Sequence, residues 1–246
     1  MIGVVQCGFG AVTMVLADEH EAAPRPMESR TIAVDGPEID ARTWVDLVGE
    51  LWGAMGSPHL RGLGITSPGR GLVVLDSARE PLCPVWDDDR SAPDAGWCTK
   101  KFPPEWWASE IGRIPTAVQP VTKMSWLHRS EPEIWKRAGR FLHVHEFVTS
   151  ELAGDGVDVT DATGAVGSGW FDERRHRHHP EVLALIDRDR DWRDALPHVE
   201  AGPQIVGTWR SMPLVTGATL DVESMSDPTS PSVPLMFARI VTAVGS

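Results

Sequence analysis

The amino-acid sequence predicts a mixed α/β sheet with helices on both faces. Three strand-like segments open the chain, and helical and strand-like segments alternate after them, which is the order typical of such sheets. Short glycine-rich or polar turns follow several of the strands. Because open α/β sheets bind ligands outside the carboxyl ends of their strands, these turns are the first candidates for a functional site.

A hairpin, a third strand and a helix form the predicted N-terminal part. Residues 2–18 alternate around a tight turn at Gly8–Gly10, which predicts two paired strands, and TIAVDG at 31–36 predicts the third. Apolar side chains within 44–55 recur at helical spacing and indicate one buried face. Asp40 precedes this helix as its N-cap, and the glycine after the segment ends it.

The middle of the chain predicts a second strand pair and a second helix. LRGLGIT at 60–66 predicts a strand that pairs with GLVVLD at 71–76 through the turn SPGRG. The segment 91–120 is rich in Pro, Trp and Gly and predicts an ordered loop or a small helical excursion. Ser130 and Glu133 have the spacing of a capping box, which predicts the start of the helix.

The later segments continue the alternation. RFLHVHEF at 140–147 predicts a strand running into a helix, and a proline precedes a further helix predicted for 181–196. MPLVTGATLD at 212–221 predicts a strand followed by a glycine turn. We therefore expect one domain at 1–221, and at 222–246 a Ser/Pro-rich linker with a short apolar segment.

Composition and charge limit the classes of function. The chain has 246 residues, of which 41% are apolar and 24% charged, as in an ordinary soluble globular protein. Its three cysteines lack metal-ligand spacing, which favours free thiols in a reducing cytoplasm. A net charge of -12 disfavours nucleic acid and anionic membranes as partners, and no segment predicts a signal peptide or membrane span. Small molecules and proteins remain as candidate partners.

Four segments of the chain follow one another in the order of a known family. GITSPGRGLVVLDSAREPLCPVWDDDR at 64–90 has the pattern of a strand, a substrate turn, a second strand and a W-x-D-x-R loop. The segment 122–155, with Lys123, matches the next block, and 158–172 and 212–221 match two later ones. In this order they resemble the first lobe of the FGGY-type carbohydrate kinases, closest to xylulokinase-like members.

The resemblance implies a fold, a reaction and a set of site residues. The fold is ribonuclease-H-like, of the actin type, and the reaction transfers the γ-phosphoryl group of ATP, with Mg²⁺, to a sugar or polyol hydroxyl. Asp221 takes the position of the general base. The family's second lobe has no counterpart here, so the expectation is a free-standing first lobe, a second lobe supplied by another chain, or a truncated gene. The apolar face on which that lobe would dock predicts a protein partner or a homo-oligomer. Five positions correspond to substrate binding: Gly69, Arg70, Trp86, Asp88 and Arg90.

The predicted phosphate-binding hairpin departs from the family pattern. Members carry Asp, Gly, Thr and Lys where this chain has Gln6, Gly8, Phe9 and Thr13. A neutral Gln6 is a poor Mg²⁺ ligand, and Phe9 places a ring where a phosphate group should approach. Gly8 and Gly10 remain as candidate nucleotide contacts through their backbone, and no metal-binding residue is predicted.

Two hypotheses of function follow from these residues. The first is an ATP-dependent sugar kinase that works with a second lobe, and the second is a noncatalytic relative that acts as a sugar-binding, regulatory or scaffold protein. Arg70 is atypical in the sugar turn, where it either contacts a hydroxyl or an anionic substrate, or lies solvated. The histidines of ERRHRHH at 173–179 are interpreted as a solvated surface, and His143 and His145 as one face of a strand.

Overall fold

The computed structural model describes residues 1–18, 26–154, 156, 158–216 and 232–245. Strands β1 to β14 are Ile2–Cys7, Ala11–Ala17, Pro26–Ala33, Glu38–Ile39, Leu63–Thr66, Val73–Leu75, Val85–Trp86, Arg140–Leu142, Val159–Asp161, Phe171–Asp172, Arg177–His178, His198–Glu200, Ile205–Trp209 and Met212–Val215. Helices α1 to α9 are Ala41–Ala54, Ala92–Lys101, Pro104–Glu110, Pro120–Ser130, Pro132–Arg137, Val144–Ala153, Ala162–Ala165, Pro180–Ile186 and Ser232–Gly245. Short 3₁₀ helices lie at Asp89–Ser91 and Val166–Ser168.

A six-stranded sheet in the order β13-β14-β5-β1-β2-β3 forms the centre of the fold. The predicted N-terminal hairpin is confirmed, because β1 and β2 pair antiparallel from Ile2 opposite Ala17 to Cys7 opposite Val12. Strand β3 continues this side antiparallel, whereas β5 and β14 add in parallel on the other side of β1. Since parallel strands end at the same edge, the turns after β1 and β5 lie side by side.

Helix α1 begins and ends where the sequence predicts. The Asp40 side chain accepts a hydrogen bond from the backbone N–H of Arg42 at 2.9 Å, which caps the first turn. Trp44 and Leu51 lie on the buried face of the helix. Gly56 follows the last turn with a φ of +79°, a conformation that glycine adopts without strain.

Alternating side chains of the central strands contribute to two separate hydrophobic clusters. On β1, Val5 and Cys7 pack under α1 and α6, whereas Ile2 and Val4 pack under α9. The side chains with which α9 covers this face are Met236, Phe237, Ile240 and Ala243. The sheet is buried on both faces, which confirms the predicted fold class.

A third hydrophobic cluster, rich in aromatic side chains, lies under helices α2 to α5 and α8. Strands β6 and β8 pair antiparallel and contribute Val74 and Phe141 to it. Its buried tryptophans are Trp86, Trp107, Trp135 and Trp170. Large aromatic side chains bury much apolar area each, so this cluster fixes the segment that carries the W-x-D-x-R loop.

Two predictions in the middle of the chain are wrong. Strand β6 pairs with β8 instead of β5, because the turn after β5 takes the chain out of the central sheet. Ser130 is the last residue of α4 and does not cap the next helix. Helix α5 starts at Pro132 after Glu131, without a side-chain cap, since proline needs no partner for the missing N–H.

Two predictions in the later part are also corrected. Helix α8 starts at the predicted proline but ends at Ile186, where the Asp187 side chain accepts from the backbone N–H of Asp189 at 3.0 Å. Such local hydrogen bonds compete with the helical ones. His143 and His145 do not share a strand, because His143 is the N-cap of α6 and His145 lies in the first turn of that helix.

The predicted domain boundary at residue 221 and the candidate base Asp221 lie outside the described residues, so both stay predictions. Beyond that boundary, α9 packs against β1 of the central sheet. Among the helices that the structure describes, none is long and apolar enough to cross a membrane.

Candidate functional site

The turn after β5 is positioned by a contact between two glycines. A Cβ on Gly69 would lie 3.1 Å from the Cα of Gly167, and a Cβ on Gly167 would lie 3.0 Å from the Cα of Gly69. The second of these would also lie 3.5 Å from Cε1 of His143. The backbone of the predicted sugar turn therefore rests directly on the 3₁₀ helix at Val166–Ser168, with a histidine beside it.

Replacing Gly167 with alanine is expected to destabilise the fold by about 1–3 kcal/mol, because backbone atoms on both sides cannot move aside cheaply. Urea denaturation of the full chain measures the change. Gly96→Ala is the matched control, since a Cβ there meets nothing within 4 Å and the residue lies inside α2. The control should gain about 0.5–1 kcal/mol from helix propensity. Equal stability of the two variants would contradict the role assigned to the glycine contact.

Arg70 projects from this turn toward the loop that follows β7. Its Nη2 lies 3.2 Å from Oδ2 of Asp87, and its side chain is 50% exposed, whereas that of Asp87 is 16% exposed. The other carboxylate oxygen of Asp87 is buried and has no hydrogen-bond partner among the described residues. The guanidinium is thus held at the rim of the turn by one ion pair and remains accessible to solvent.

Asp88 and Arg90 form a rigid ion pair beside two indoles. The Arg90 Nε donates to Asp88 Oδ1 at 2.8 Å, and its Nη2 donates to Glu38 Oε1 at 2.7 Å. These hydrogen bonds lower the pKa of Asp88 and raise that of Arg90. The guanidinium carbon lies 5.1 Å from the ring centre of Trp86 and 5.6 Å from that of Trp126. Asp88 therefore fixes Arg90 between two aromatic rings.

Lys123 is a buried cation behind these residues, and the sequence named it only as part of a matching block. Its Nζ donates to the backbone carbonyl of Trp86. Burial lowers the pKa of Lys123 to about 8, while the charges of Asp87 and Asp88 act in the opposite direction. The sequence signal that could have predicted a buried cation here is a lysine within a predicted helix, in a block that matches the family.

A cluster of buried polar side chains lies under the sugar turn. Ser67 Oγ lies 3.0 Å from Nδ1 of His145, and Glu146 accepts from the backbone N–H of His143 at 2.7 Å. Both ring nitrogens of His143, Nε2 of His145 and Oε1 of Glu146 are buried and have no hydrogen-bond partner within the described ranges. Burial lowers the pKa of His143 to about 4 and raises that of Glu146 to about 8. These side chains are therefore uncharged at neutral pH.

Backbone hydrogen bonds hold the turn between β1 and β2 closed. The N–H of Gly8 donates to the carbonyl of Ala11 at 2.9 Å, and the carbonyl of Gly8 accepts from Nε1 of Trp44 at 2.9 Å. The carbonyl of Gly10 accepts from the N–H of Val34 at 3.0 Å. Of the two glycines predicted as nucleotide contacts, Gly8 thus uses its backbone donor within the turn. Their role as nucleotide contacts stays a prediction.

Phe9 lies at the tip of this hairpin and packs toward the sugar turn. Its ring centre lies 5.8 Å from that of Trp44, edge to face, and 5.7 Å from Nζ of Lys123. A Cβ on Gly71 would lie 3.6 Å from its Cζ atom. The half-buried ring therefore occupies the space between the two turns with apolar surface.

The hairpin does not fit the phosphates and Mg²⁺ that the fold family implies. Gln6, opposite Thr66 on β5, is neutral, and neither β1 nor β2 contains a carboxylate. The hydroxyl of Thr13 is 2.9 Å from that of Thr31 on β3. Mg²⁺ prefers carboxylate oxygens together with phosphate oxygens, and a phenyl ring offers no donor to a phosphate.

The histidine run at 173–179 is only partly solvated, so that prediction is wrong for two of its members. His179 is buried, and His178 donates to a backbone carbonyl at 2.9 Å. Ligand atoms of His179, Glu110 and Asp172 lie within 4.8 Å of one another. However, Nη1 of Arg175 lies 2.8 Å from Glu110 and 2.6 Å from Asp172, so a guanidinium already neutralises these carboxylates.

The central sheet with helices on both faces is shared with sugar kinases of the actin-like fold. The chain belongs to the FGGY family of carbohydrate kinases, whose N-terminal domain matches residues 42–219. Xylulose kinase of Streptomyces coelicolor is 32% identical over 193 residues, which are 76% of this chain and 38% of that protein. Xylulose kinase of Escherichia coli K12 is 24% identical over 215 residues, or 84% of this chain and 43% of that protein.

Solved structures agree on the fold. The crystal structure of xylulose kinase from Bifidobacterium adolescentis superposes with a TM-score of 0.79 at 16% identity, covering 92% of this chain and 54% of that chain. Gluconate kinase from Lactobacillus acidophilus gives 0.78 at 18% identity, covering 89% and 48%. These similarities confirm the actin-type fold that the sequence predicts. The chain spans about half the length of these structures, or less for the curated relatives.

Proposed function

We propose that this chain binds a sugar or polyol at the edge of its sheet and that phosphoryl transfer by the route of its family is impaired. The observation that carries the proposal is Phe9, whose ring fills the space between the β1–β2 turn and the sugar turn. The family match supports the sugar, and the hairpin argues against the phosphates. The protein is then a noncatalytic member with a binding or regulatory role.

The sugar side of the site has the groups that hold a polyhydroxylated ligand. Trp86 and Trp126 flank Arg90. Trp86 is buried in the aromatic cluster, so the half-buried indole of Trp126 is the one that offers a flat apolar surface to the C–H face of a sugar. Arg70 presents several N–H donors at the rim, and the Asp88 carboxylate fixes the neighbouring guanidinium. Ion pairs and ring contacts hold these side chains in place before the ligand binds, which reduces the entropic cost of binding.

The phosphate side lacks groups that stabilise charge during transfer. Loss of a donor or a metal ligand that acts on the transition state typically costs about two orders of magnitude or more in rate. Gln6 and Phe9 remove two such functions from the hairpin, and Thr13 stands where the family pattern has a lysine. The combined loss supports an activity far below that of an ordinary kinase.

Retained kinase activity is the second candidate, and the family match over 42–219 favours it. Here Asp221 takes the proton of the sugar hydroxyl, while ATP and Mg²⁺ are held chiefly by a second lobe or a partner chain. This candidate requires that groups outside the hairpin compensate for Gln6 and Phe9.

Isothermal titration of the full chain separates these candidates. We expect heat of binding from at least one member of a panel of ketoses, polyols and sugar acids, and none from Mg-ATP with or without the sugar. Trp126→Ala should weaken sugar binding about tenfold, equal to roughly 1.4 kcal/mol, whereas Trp97→Ala on the surface of α2 should not change it.

Nucleotide affinity, or a phosphorylated sugar in the same mixture, would favour the kinase over the noncatalytic protein. No binding of any sugar in the panel would contradict the sugar-binding part of the proposal. Unchanged sugar affinity of the Trp126→Ala variant would show that the Trp126 ring does not contact the sugar.

A further inference from the structure

Cationic side chains surround the predicted sugar turn in a protein that is otherwise strongly acidic. The chain carries a net charge of -12, yet Arg70 stands on the turn itself, and the buried Lys123 lies within electrostatic range of Arg70. Arg90 follows on the next loop, but Asp88 and Glu38 neutralise it. Asp87 pairs with Arg70 through one contact of 3.2 Å, so the half-exposed guanidinium of Arg70 is the cation that this turn presents to a ligand.

Arg113 adds a further charge near the turn. It is half-buried, and no hydrogen bond or ion pair holds its guanidinium among the described residues. Burial is the main cause of the lowered pKa of His143, and the positive charges of Arg113 and Lys123 lower it further. His143 lies beside the Gly69–Gly167 contact. The buried imidazole has no hydrogen-bond partner within the described ranges, so this side of the turn holds cations and neutral polar groups.

Asp87 is the carboxylate that faces Arg70, and their ion pair is weak enough to exchange. It rests on one contact of 3.2 Å to a half-exposed guanidinium, and an ion pair that solvent reaches on one side is weakened by screening. Asp87 also faces Lys123, whose charge it helps to stabilise. A ligand carboxylate that engages Arg70 bidentately would replace this contact and leave Asp87 with the lysine.

We propose that the site selects a sugar acid, with the ligand carboxylate on the guanidinium of Arg70 and the hydroxyl-bearing chain toward Trp126 and Arg90. This inference rests on the proposed sugar binding and names its substrate class. A neutral polyol offers only hydroxyl acceptors to Arg70, whereas a carboxylate matches both the charge and the planar fork of the guanidinium. The preference for an acid is therefore set by Arg70.

Matched pairs of ligands test this selection by titration calorimetry at low salt. The full chain is titrated with D-xylonate and xylitol, and with D-gluconate and D-sorbitol, so that each acid is compared with a polyol of equal carbon number. We expect the acids to bind at least tenfold more tightly than their polyols. In Arg70→Gln this preference should disappear, and in the control Arg193→Gln, whose exposed side chain pairs with Asp191, it should remain.

Asp87→Asn provides a second variant that does not depend on the stability of Arg70→Gln. It removes the competing carboxylate and should tighten binding of the acids several-fold, with little effect on the polyols. Equal or tighter binding of xylitol and sorbitol by the unmodified chain would overturn the selection while leaving sugar binding intact. If the chain binds a neutral ketose but none of these four ligands, the selection of a sugar acid is likewise overturned. If the chain binds no sugar at all, the proposed function itself is overturned.

Discussion

Replacing Trp44 with alanine is expected to lower the free energy of unfolding by about 3–5 kcal/mol, the range for truncating a fully buried large aromatic side chain. Trp44 is 0% exposed in the cluster under α1. Its indole N–H also holds the carbonyl of Gly8, and its ring supports Phe9. The variant therefore opens a cavity in the core and also removes the hydrogen bond that holds the hairpin turn.

Urea denaturation followed by circular dichroism measures this loss, with an unchanged m-value as evidence that the unfolded state is the same. Trp97→Ala is the matched control, because Trp97 is 37% exposed on α2 and its loss should cost less than about 1 kcal/mol. A loss below about 1.5 kcal/mol for Trp44→Ala would contradict the role of this indole as the support of the turn.

Stability should fall between about pH 5 and pH 8 because of the buried carboxyl of Glu146. Burial raises the pKa of Glu146 from 4.5 to about 8, so the folded chain keeps a proton that the unfolded chain releases. The stabilisation is complete below the unfolded value and is lost as the pH rises through the folded one. At about 1.4 kcal/mol per pH unit, it amounts to roughly 3 kcal/mol over this window.

Neighbouring groups also contribute to the pH dependence of the free energy of unfolding. Burial lowers the pKa of His143 from 6.5 to about 4 and that of His145 well below its ordinary value, so their contribution is lost as the pH falls below 6.5. Asp158 and Asp161 also act on Glu146 and raise its pKa. The carboxyl and the imidazoles have opposite slopes at acidic pH, and the decline from Glu146 therefore shows most clearly above about pH 6.5.

Glu146→Gln isolates this effect, since the amide retains an acceptor for the backbone N–H of His143 and does not titrate. Between about pH 5 and pH 8, the free energy of unfolding of the wild type should fall by roughly 3 kcal/mol relative to that of the variant. Glu133→Gln, at a side chain 83% exposed, is expected to keep the wild-type profile. Parallel profiles for Glu146→Gln and wild type would mean that the buried carboxyl is already ionised at pH 5.

The elements with strong local signals could be predicted from the sequence. The hairpin follows from alternation around glycines, and α1 follows from its helical spacing, the cap at Asp40 and the terminal glycine. These signals are carried by residues next to one another in the chain. The same is true of β14 and of the proline that starts α8.

Strand partners and helix ends depended on distant residues. The short β6 pairs with Arg140–Leu142, far along the chain, and nothing in its own residues distinguishes this partner from β5. Ser130 has the spacing of a capping box, but packing continues α4 through it to the proline of α5. Local patterns identify candidates for such positions, and tertiary contacts select among them.

The site was predictable where the family motif was intact. The motif residues Trp86, Asp88 and Arg90 do lie together, as do Gly69 and Arg70 on the sugar turn, although their ligand contacts stay predictions. The buried lysine and the polar cluster under the turn were not predicted as parts of it. Their residues are far apart in the sequence, and the burial that changes their pKa values exists only in the folded chain.

The pairing of Arg90 with Trp86 and Trp126 also gives the protein an intrinsic optical probe. The chain has eleven tryptophans and no tyrosine, so its near-ultraviolet emission comes almost entirely from indoles. Two of these indoles flank a guanidinium at the candidate sugar site, within 5.1 and 5.6 Å of its carbon. A ligand that moves this cation or excludes water from the half-buried ring of Trp126 would change the emission, and occupancy could be followed without a label.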